Sequence, residues 1–379
     1  MTQPNLAPPK FTSYHEQGQS PLFHLPPEIR YEIFAYAVAS GPDNTQPLDQ
    51  NGYSTRPGYE TRHRTWTELL RTCKRVYTEA WFMPLICSEH TFFMAGRDRR
   101  PGQVMSVERM QECLDLIHDR HGEVEGGHIR LFAQLCELEG SRRFRGIFSM
   151  RHFHPRSVTV TIRYTDTWAW EGNSALEIAG EWGQRLVLPS SVQRFNLDIE
   201  SLERRKDEVD YIVGQAAEKW HFKRRDGVKM LASKNASISV SRWTGSSTLG
   251  RMRWVRDEVR PNQLDYYVGT VTWLPSEESL GDRPESNPSL SVKWDRPAPP
   301  RSEWRFLTLG QLRSARVHPD ASADEAIDAV HQRSEYTDES ESGELSGEFD
   351  TETDDSWSED EIEDDSDDWS EHNDSDDGD

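Results

Sequence analysis

After Arg333 the chain contains no lysine or arginine, while residues 335–379 hold 23 aspartates and glutamates. That segment has only Tyr336, Leu345, Phe349, Trp357, Ile362 and Trp369 from which to build a core. It cannot bury enough apolar surface to offset its ordering entropy, so residues 335–379 are expected to form a disordered acidic tail. The rest of the chain is electrostatically different. Residues 1–334 carry 43 acids and 44 bases, so the formal charge of −22 separates into a near-neutral body and a tail of −23. Any fold or interface in the body has to be judged at a net charge of +1.

Roughly 330 residues suffice for two modest cores. No window offers the ~18 consecutive apolar residues of a membrane span, so no membrane partner is expected. The opening MTQPNLAPPKFTSYHEQGQ has no apolar stretch of the kind a secretory signal needs. Cys73, Cys87, Cys113 and Cys136 form no CxxC pair. A reduced setting, cytoplasmic and/or nuclear, is the expectation.

Along the chain, residues 1–21 are polar with Pro4, Pro8 and Pro9, and read as a disordered lead. In FHLPPEIRYEIFAYAV (23–38), Pro27 suits a first helical turn, and Ile29, Ile33 and Ala37 repeat on one face. Gly41-Pro42 stops that helix, and residues 41–64 read as a loop. In TWTELLRTCKRVYTEAWFMPLICSEHTFFM (65–94), Leu69, Cys73, Val76 and Ala80 form a helical stripe that Pro84 ends. Two further helices fit residues 106–119 and 129–139.

From about residue 156 the period becomes two. Val158/Val160/Ile162, Phe195/Leu197/Ile199, Ala236/Ile238/Val240 and the run LDYYVGTVTW predict strands with one buried and one wet face. A helix near 201–222 lies between the second and third, with Val209, Ile212, Val213, Ala216 and Trp220 buried. Residues 275–303 read as a Pro-rich linker, and WRFLTLGQL (304–312) is apolar enough to dock back on the body. The expected fold is α+β: a helical module over 22–95 containing the 41–64 loop, then a mixed domain over 96–274 with a largely antiparallel sheet.

LPPEIRYEIFAYAV followed by LLRTCKRVYTEAWFMPLICSEHTFFM is similar to the F-box-like N-terminal module of a set of fungal proteins. The matching residues are Leu25, Pro26, Pro27, Glu28, Ile29 and Arg30, then Leu70, Arg71, Thr72, Cys73, Tyr77, Glu79 and Ala80, with Thr91 and Phe92 in a following strand. His90 stands where the pattern has asparagine, and the 41–64 loop replaces a short second helix. About 50 residues are covered. F-box modules insert an apolar Leu-Pro turn and helix into a groove of the small adaptor subunit of cullin-RING ubiquitin ligases. The resemblance therefore implies that Leu25, Pro26, Ile29 and Ile33 face such an adaptor, and that the chain is a substrate receptor.

Candidate chemistry is sparse. The chain has no GxGxxG, GxxxxGK[ST], HExxH or GxSxG, so neither an enzyme nor a cofactor is expected. A deep pocket with two or more titratable groups of shifted pKa would revive the enzyme reading. Cys113, His118, His121, His128 and Cys136 have metal-ligand residue types but no standard zinc spacing, and read as solvated histidines and core cysteines. The basic runs Arg204-Arg205-Lys206, Lys223-Arg224-Arg225 and Arg251/Arg253/Arg256/Arg260 lie near Trp220, Phe222 and Trp254. A body of +1 argues against a dedicated nucleic-acid binder. Local ion pairs, or contact with the protein's own tail, suit these bases better.

Trp168, Trp170, Trp182, Trp243 and Trp273 read as core aromatics. In the tail, Phe349, Trp357, Ile362 and Trp369 among carboxylates resemble an acidic-hydrophobic docking segment for basic, histone-like proteins. Thr351, Ser356 and Ser358 each have an acid at +3 and read as acid-directed phosphorylation sites.

Overall fold

The structure is a computed structural model describing residues 11, 13–102, 104–140, 142–167, 169–232, 237–276, 291–294 and 306–341. The chain divides into two units, Met1–Arg333 and Ser334–Asp379, and every strand among the described residues belongs to the first. The LPPEIR stretch opens helix α1, Pro27–Val38, with proline in its first turn. Residues 41–64 are not a plain loop. Strands β1, Ser40–Pro47, and β2, Thr61–Thr65, pair antiparallel as a hairpin.

The second motif folds as a 3-10 turn, Glu68–Arg71, followed by α2, Lys74–Ala80, and α3, Met83–Cys87. The stripe breaks at Cys73. That residue is extended, and its thiol caps α2 by accepting from the Val76 amide at 3.5 Å. Pro84 opens α3 instead of ending the helix before it. Phe34, Val38, Val76, Ala80 and Met83 form the core of this corner.

Strand β3, Glu89–Met94, runs parallel to β4, Gly126–Ala133, with helix α4, Val107–His121, between them in sequence. The boundary expected at residue 95 is therefore absent, because the last strand of the first motif region is the edge of the main sheet. Strand β4 takes the first half of the helix expected over 129–139, and only its second half is helical. Ile129, Leu131, Phe132 and Ala133 are buried and Arg130 between them is half-buried against Asp198, so both faces of this strand are covered and its alternation is short. Short helices α5, Leu135–Gly140, and α6, Arg142–Ser149, return the chain to β5, Pro155–Ile162, parallel to β4.

The sheet continues with Arg194–Leu202, parallel to β5, and then with Gln263–Ser276, antiparallel. Beyond that strand lie Ile238–Ser246, Lys229–Leu231, Phe222–Arg224 and Val187–Leu188. Half of the pairings in this sheet are parallel, so it is mixed, not largely antiparallel. Alternation reports which way side chains point; it carries no information on strand direction, which the crossovers set.

The helix Lys206–Lys219 covers one face of the sheet, burying Val209, Ile212, Val213 and Ala216 as its stripe requires. It sits so close that a Cβ on Gly269 would lie 2.8 Å from Val209 Cγ1 and 2.9 Å from Val213 Cγ1. Gly269→Ala is therefore expected to cost about 1–3 kcal/mol by overpacking, read as a lower urea midpoint with unchanged slope.

The opposite face is polar but not wet. Thr161 and Thr270 donate to Asp198 at 2.9 and 2.8 Å, and Arg130 donates to the same carboxylate at 3.0 Å. Asn196 donates to Thr159 at 3.0 Å and accepts from Thr272 at 2.9 Å. The chain between β1 and β2 reaches this side. Arg56 pairs with Glu200 at 3.1 Å, Tyr59 packs edge-on against Phe132, and Arg163 donates to the Tyr53 carbonyl at 2.9 Å. The Val/Thr alternation therefore separates an apolar layer from a hydrogen-bonded one, both of them covered.

Trp170, Trp182, Trp220, Trp254 and Trp273 are buried, and Trp243 stacks on Tyr266; Trp168 lies outside the described residues. Within the expected linker, Val292–Lys293 pairs with Glu177–Ile178 and buries Val292. Leu307–Thr308 pairs with Met252–Arg253, and Leu307 packs against Val255, Ala326 and Val330. The last helix, Ala323–Glu341, runs past the expected start of the disordered tail. Of the expected lead, Phe11 packs edge-on against Tyr77. No helix among the described residues is long and apolar enough to cross a membrane.

Candidate functional site

Helix α1 has two apolar faces, and among the described residues only one is buried. Phe34 and Val38, one turn apart, are buried against α2 and α3. Ile29, Ile33 and Tyr36 fall within roughly 60° of arc on the other side, at 100° per residue. Ile29 is 48% exposed and Tyr36 is 83% exposed; Ile33 and Leu25 are exposed too. Pro26 and Ala37 lie open beside them. The set Leu25, Pro26, Ile29 and Ile33 is thus brought together on the surface. Sequence reasoning missed Tyr36, although its place seven residues after Ile29 was a visible signal.

The two motifs hold each other in place. Arg30 Nε donates to Glu79 Oε2 at 2.9 Å, and Arg75 Nε donates to Glu79 Oε1 at 3.1 Å. Arg30 also donates to the Leu25 carbonyl at 2.7 Å, which fixes the Leu-Pro turn against the helix. Arg75 lies over the Phe23 ring at 4.1 Å. The arginine of LPPEIR and the glutamate of the second helix are therefore one ion-paired unit, and the pairing sets how Leu25 and Ile29 are presented.

Among the described residues the basic runs do not form one exposed patch, and most of their arginines meet acids or carbonyls. Arg204 donates to Asn173 at 2.7 Å and pairs with Asp257. Arg205 is buried against Glu208, with Nη2 2.8 Å from Oε1. Arg224 pairs with Asp226 and donates to the Val192 carbonyl, and Arg225 donates to the Phe148 carbonyl. Lys206 and Lys223 are exposed. Lys206 begins the helix Lys206–Lys219, whereas Lys223 lies in the strand Phe222–Arg224 that follows it. Arg253, Arg256 and Arg260 pair with Glu258, Asp257 and Asp265. Thr351, Ser356 and Ser358 lie outside the described residues.

The five residues with metal-ligand side chains disperse. Cys136 is exposed, His121 packs on Phe82 at 4.0 Å, and His128 lies 3.3 Å from Glu89. Cys113 lines a cleft of about 560 Å³ between the hairpin, α2–α3 and the outer edge of β3, and His118 faces His152 and Glu123 instead. Tyr59, Glu89 and His90 also line the cleft. Tyr59 donates to Glu89, which Arg130 approaches at 3.4 Å. Burial pushes the Tyr59 phenol and the Cys113 thiol up and the His90 imidazole down. Such a cleft has the titratable groups an active site would need.

His90 and His128 are both held below the ordinary histidine value, chiefly by burial. The unfolded chain therefore takes up protons first. Their contribution is complete above about pH 6.5 and is lost as pH falls toward the native values. The urea midpoint is expected to fall between pH 7.5 and 5.5, and His90→Gln should flatten that slope.

Compared with known proteins, the chain matches no family model, no curated protein and no solved structure.

Proposed function

We propose that the protein is a non-enzymatic interaction protein whose outward α1 face docks on the small adaptor subunit of a cullin-RING ubiquitin ligase. The α+β body then acts as the substrate receptor. One observation carries this reading. The Leu25–Ile29–Ile33–Tyr36 face is exposed while the core of its own corner is already filled from the other side by Phe34 and Val38. An apolar face that the chain does not use internally suits helix-in-groove recognition. The Arg30–Glu79 pair supports it, because it joins the two motifs on which the resemblance rests. The hairpin formed by Ser40–Pro47 and Thr61–Thr65, where F-box modules have a short helix, faces the cleft and leaves this side of α1 to the partner.

The test is an affinity pull-down of tagged full-length protein with purified adaptor. Recovery of a stoichiometric complex at micromolar protein is expected. No recovery at that concentration removes the ligase role.

A further inference from the structure

The C-terminal end of α4 and the turn before β5 bring together residues far apart in sequence. His118 Nδ1 lies 3.3 Å from Glu123 Oε1, and His152 Nδ1 lies 3.2 Å from the same oxygen. His154 Nε2 contacts the other carboxylate oxygen. The His118 and His152 rings are stacked, 3.5 Å between centroids and 12° from parallel. Gly122, at φ +72°, turns the chain back so that Glu123 meets His118. His152 itself holds φ +57°, a region costly for a residue with a Cβ.

We propose that His118, Glu123 and His152 bind one divalent transition-metal ion of the Zn²⁺ type. Three features suit one bound metal ion. The donor atoms of these residues all lie within 4.8 Å of one another. Bonds of about 2.0–2.1 Å place two ligands of a tetrahedral ion about 3.3 Å apart, which the two His–Glu123 separations already match. Finally, His118 Nδ1 is buried and makes no hydrogen bond, although it points into the cluster.

The surroundings are those of a supported site. His152 Nε2 faces Asp115 Oδ1 at 4.0 Å. Asp115 accepts from Gln111 at 2.7 Å and from Arg151 at 2.9 Å. At 4.0 Å Asp115 makes no direct hydrogen bond to His152, but its charge favours a ligating imidazole that faces it, and His154 lies against the other oxygen of Glu123. Two nitrogens and one carboxylate leave a tetrahedral ion one position for water. The same donor set disfavours Mg²⁺ and Ca²⁺, which take oxygen ligands. An ion here would staple the end of α4 to the entry of β5.

The experiment titrates full-length protein with Zn²⁺ in excess Mg²⁺, which occupies the oxygen-only sites of the acidic tail. Saturation at a single tight Zn²⁺ is expected, weakened about 10–100-fold by Asp115→Asn and more by His152→Ala, with His318→Ala unchanged. Binding that Mg²⁺ competes away, or that His152→Ala leaves intact, would overturn the proposal. Should His152→Ala fail to fold, Co²⁺ added to the parent protein decides. Tetrahedral nitrogen–oxygen ligation gives visible d–d absorption, and its absence refutes the site.

Discussion

Replacing Asp166 with alanine is expected to destabilise the folded body by about 3–5 kcal/mol, because it strands a buried cation. The side chains of Arg163 and Asp166 are 3% and 0% exposed. Arg163 Nε and Nη2 donate to the Asp166 carboxylate at 2.6 and 2.9 Å. Two further donors bind the carbonyls of Tyr53 at 2.9 Å and Arg99 at 3.0 Å. One guanidinium thus ties the end of β5 to the strap over the polar sheet face and to the segment after β3. Alanine at 166 leaves that charge with carbonyl dipoles alone.

The paired variant Arg163→Met with Asp166→Leu removes both charges at once and should cost less than the sum of the two single changes. Urea unfolding of the four proteins measures it. A single-variant loss under about 1 kcal/mol, as at a surface pair, would show that the pair is solvated in solution.

How much of this was legible from the sequence depended on the kind of signal. The stripe of Val209, Ile212, Val213 and Ala216 was readable because a helix covering one sheet face has to be apolar on one side only. Helix α1 was harder. Ile29, Ile33 and Ala37 repeat at four residues, but so do Arg30, Phe34 and Val38 with a different neighbour set, and PEIRYEIFAYAV is apolar on both sides. Periodicity located the faces; it could not say which one the chain buries.

Strand β4 failed as a sequence reading for a related reason. An interior strand covered on both faces loses its alternation, and GGHIRLFA fits a short helix equally well. The hairpin at 40–65 is rich in Gly, Pro and Asn and its strands pair only with each other, so its local sequence reads as loop.

Of the sites, the outward α1 residues were legible by resemblance, whereas the histidine cluster was not. Its members come from two elements that only the crossover from α4 to β5 unites. The short-range signal that was present was only the closeness of His152 and His154 in sequence, just before β5. The acids that meet the basic runs were legible only in part: Glu208 is three residues from Arg205, whereas Asp257 reaches Arg204 through the tertiary structure.

The proposed docking face makes the other large prediction. Ile29→Asp with Ile33→Asp would place two carboxylates at the centre of an apolar contact, where desolvating an unpaired charge is costly. Both side chains are exposed in the free protein, so the body's own stability should change by no more than about 0.5 kcal/mol per site. The most direct measurement is calorimetric titration of purified adaptor into the full-length parent and into this double variant, with urea unfolding of both alongside. The account predicts saturable binding by the parent, at least about 100-fold weaker binding by the variant (some 2.7 kcal/mol), and equal unfolding curves. Equal affinity of the two proteins for the adaptor, or no binding by a folded parent, would contradict it.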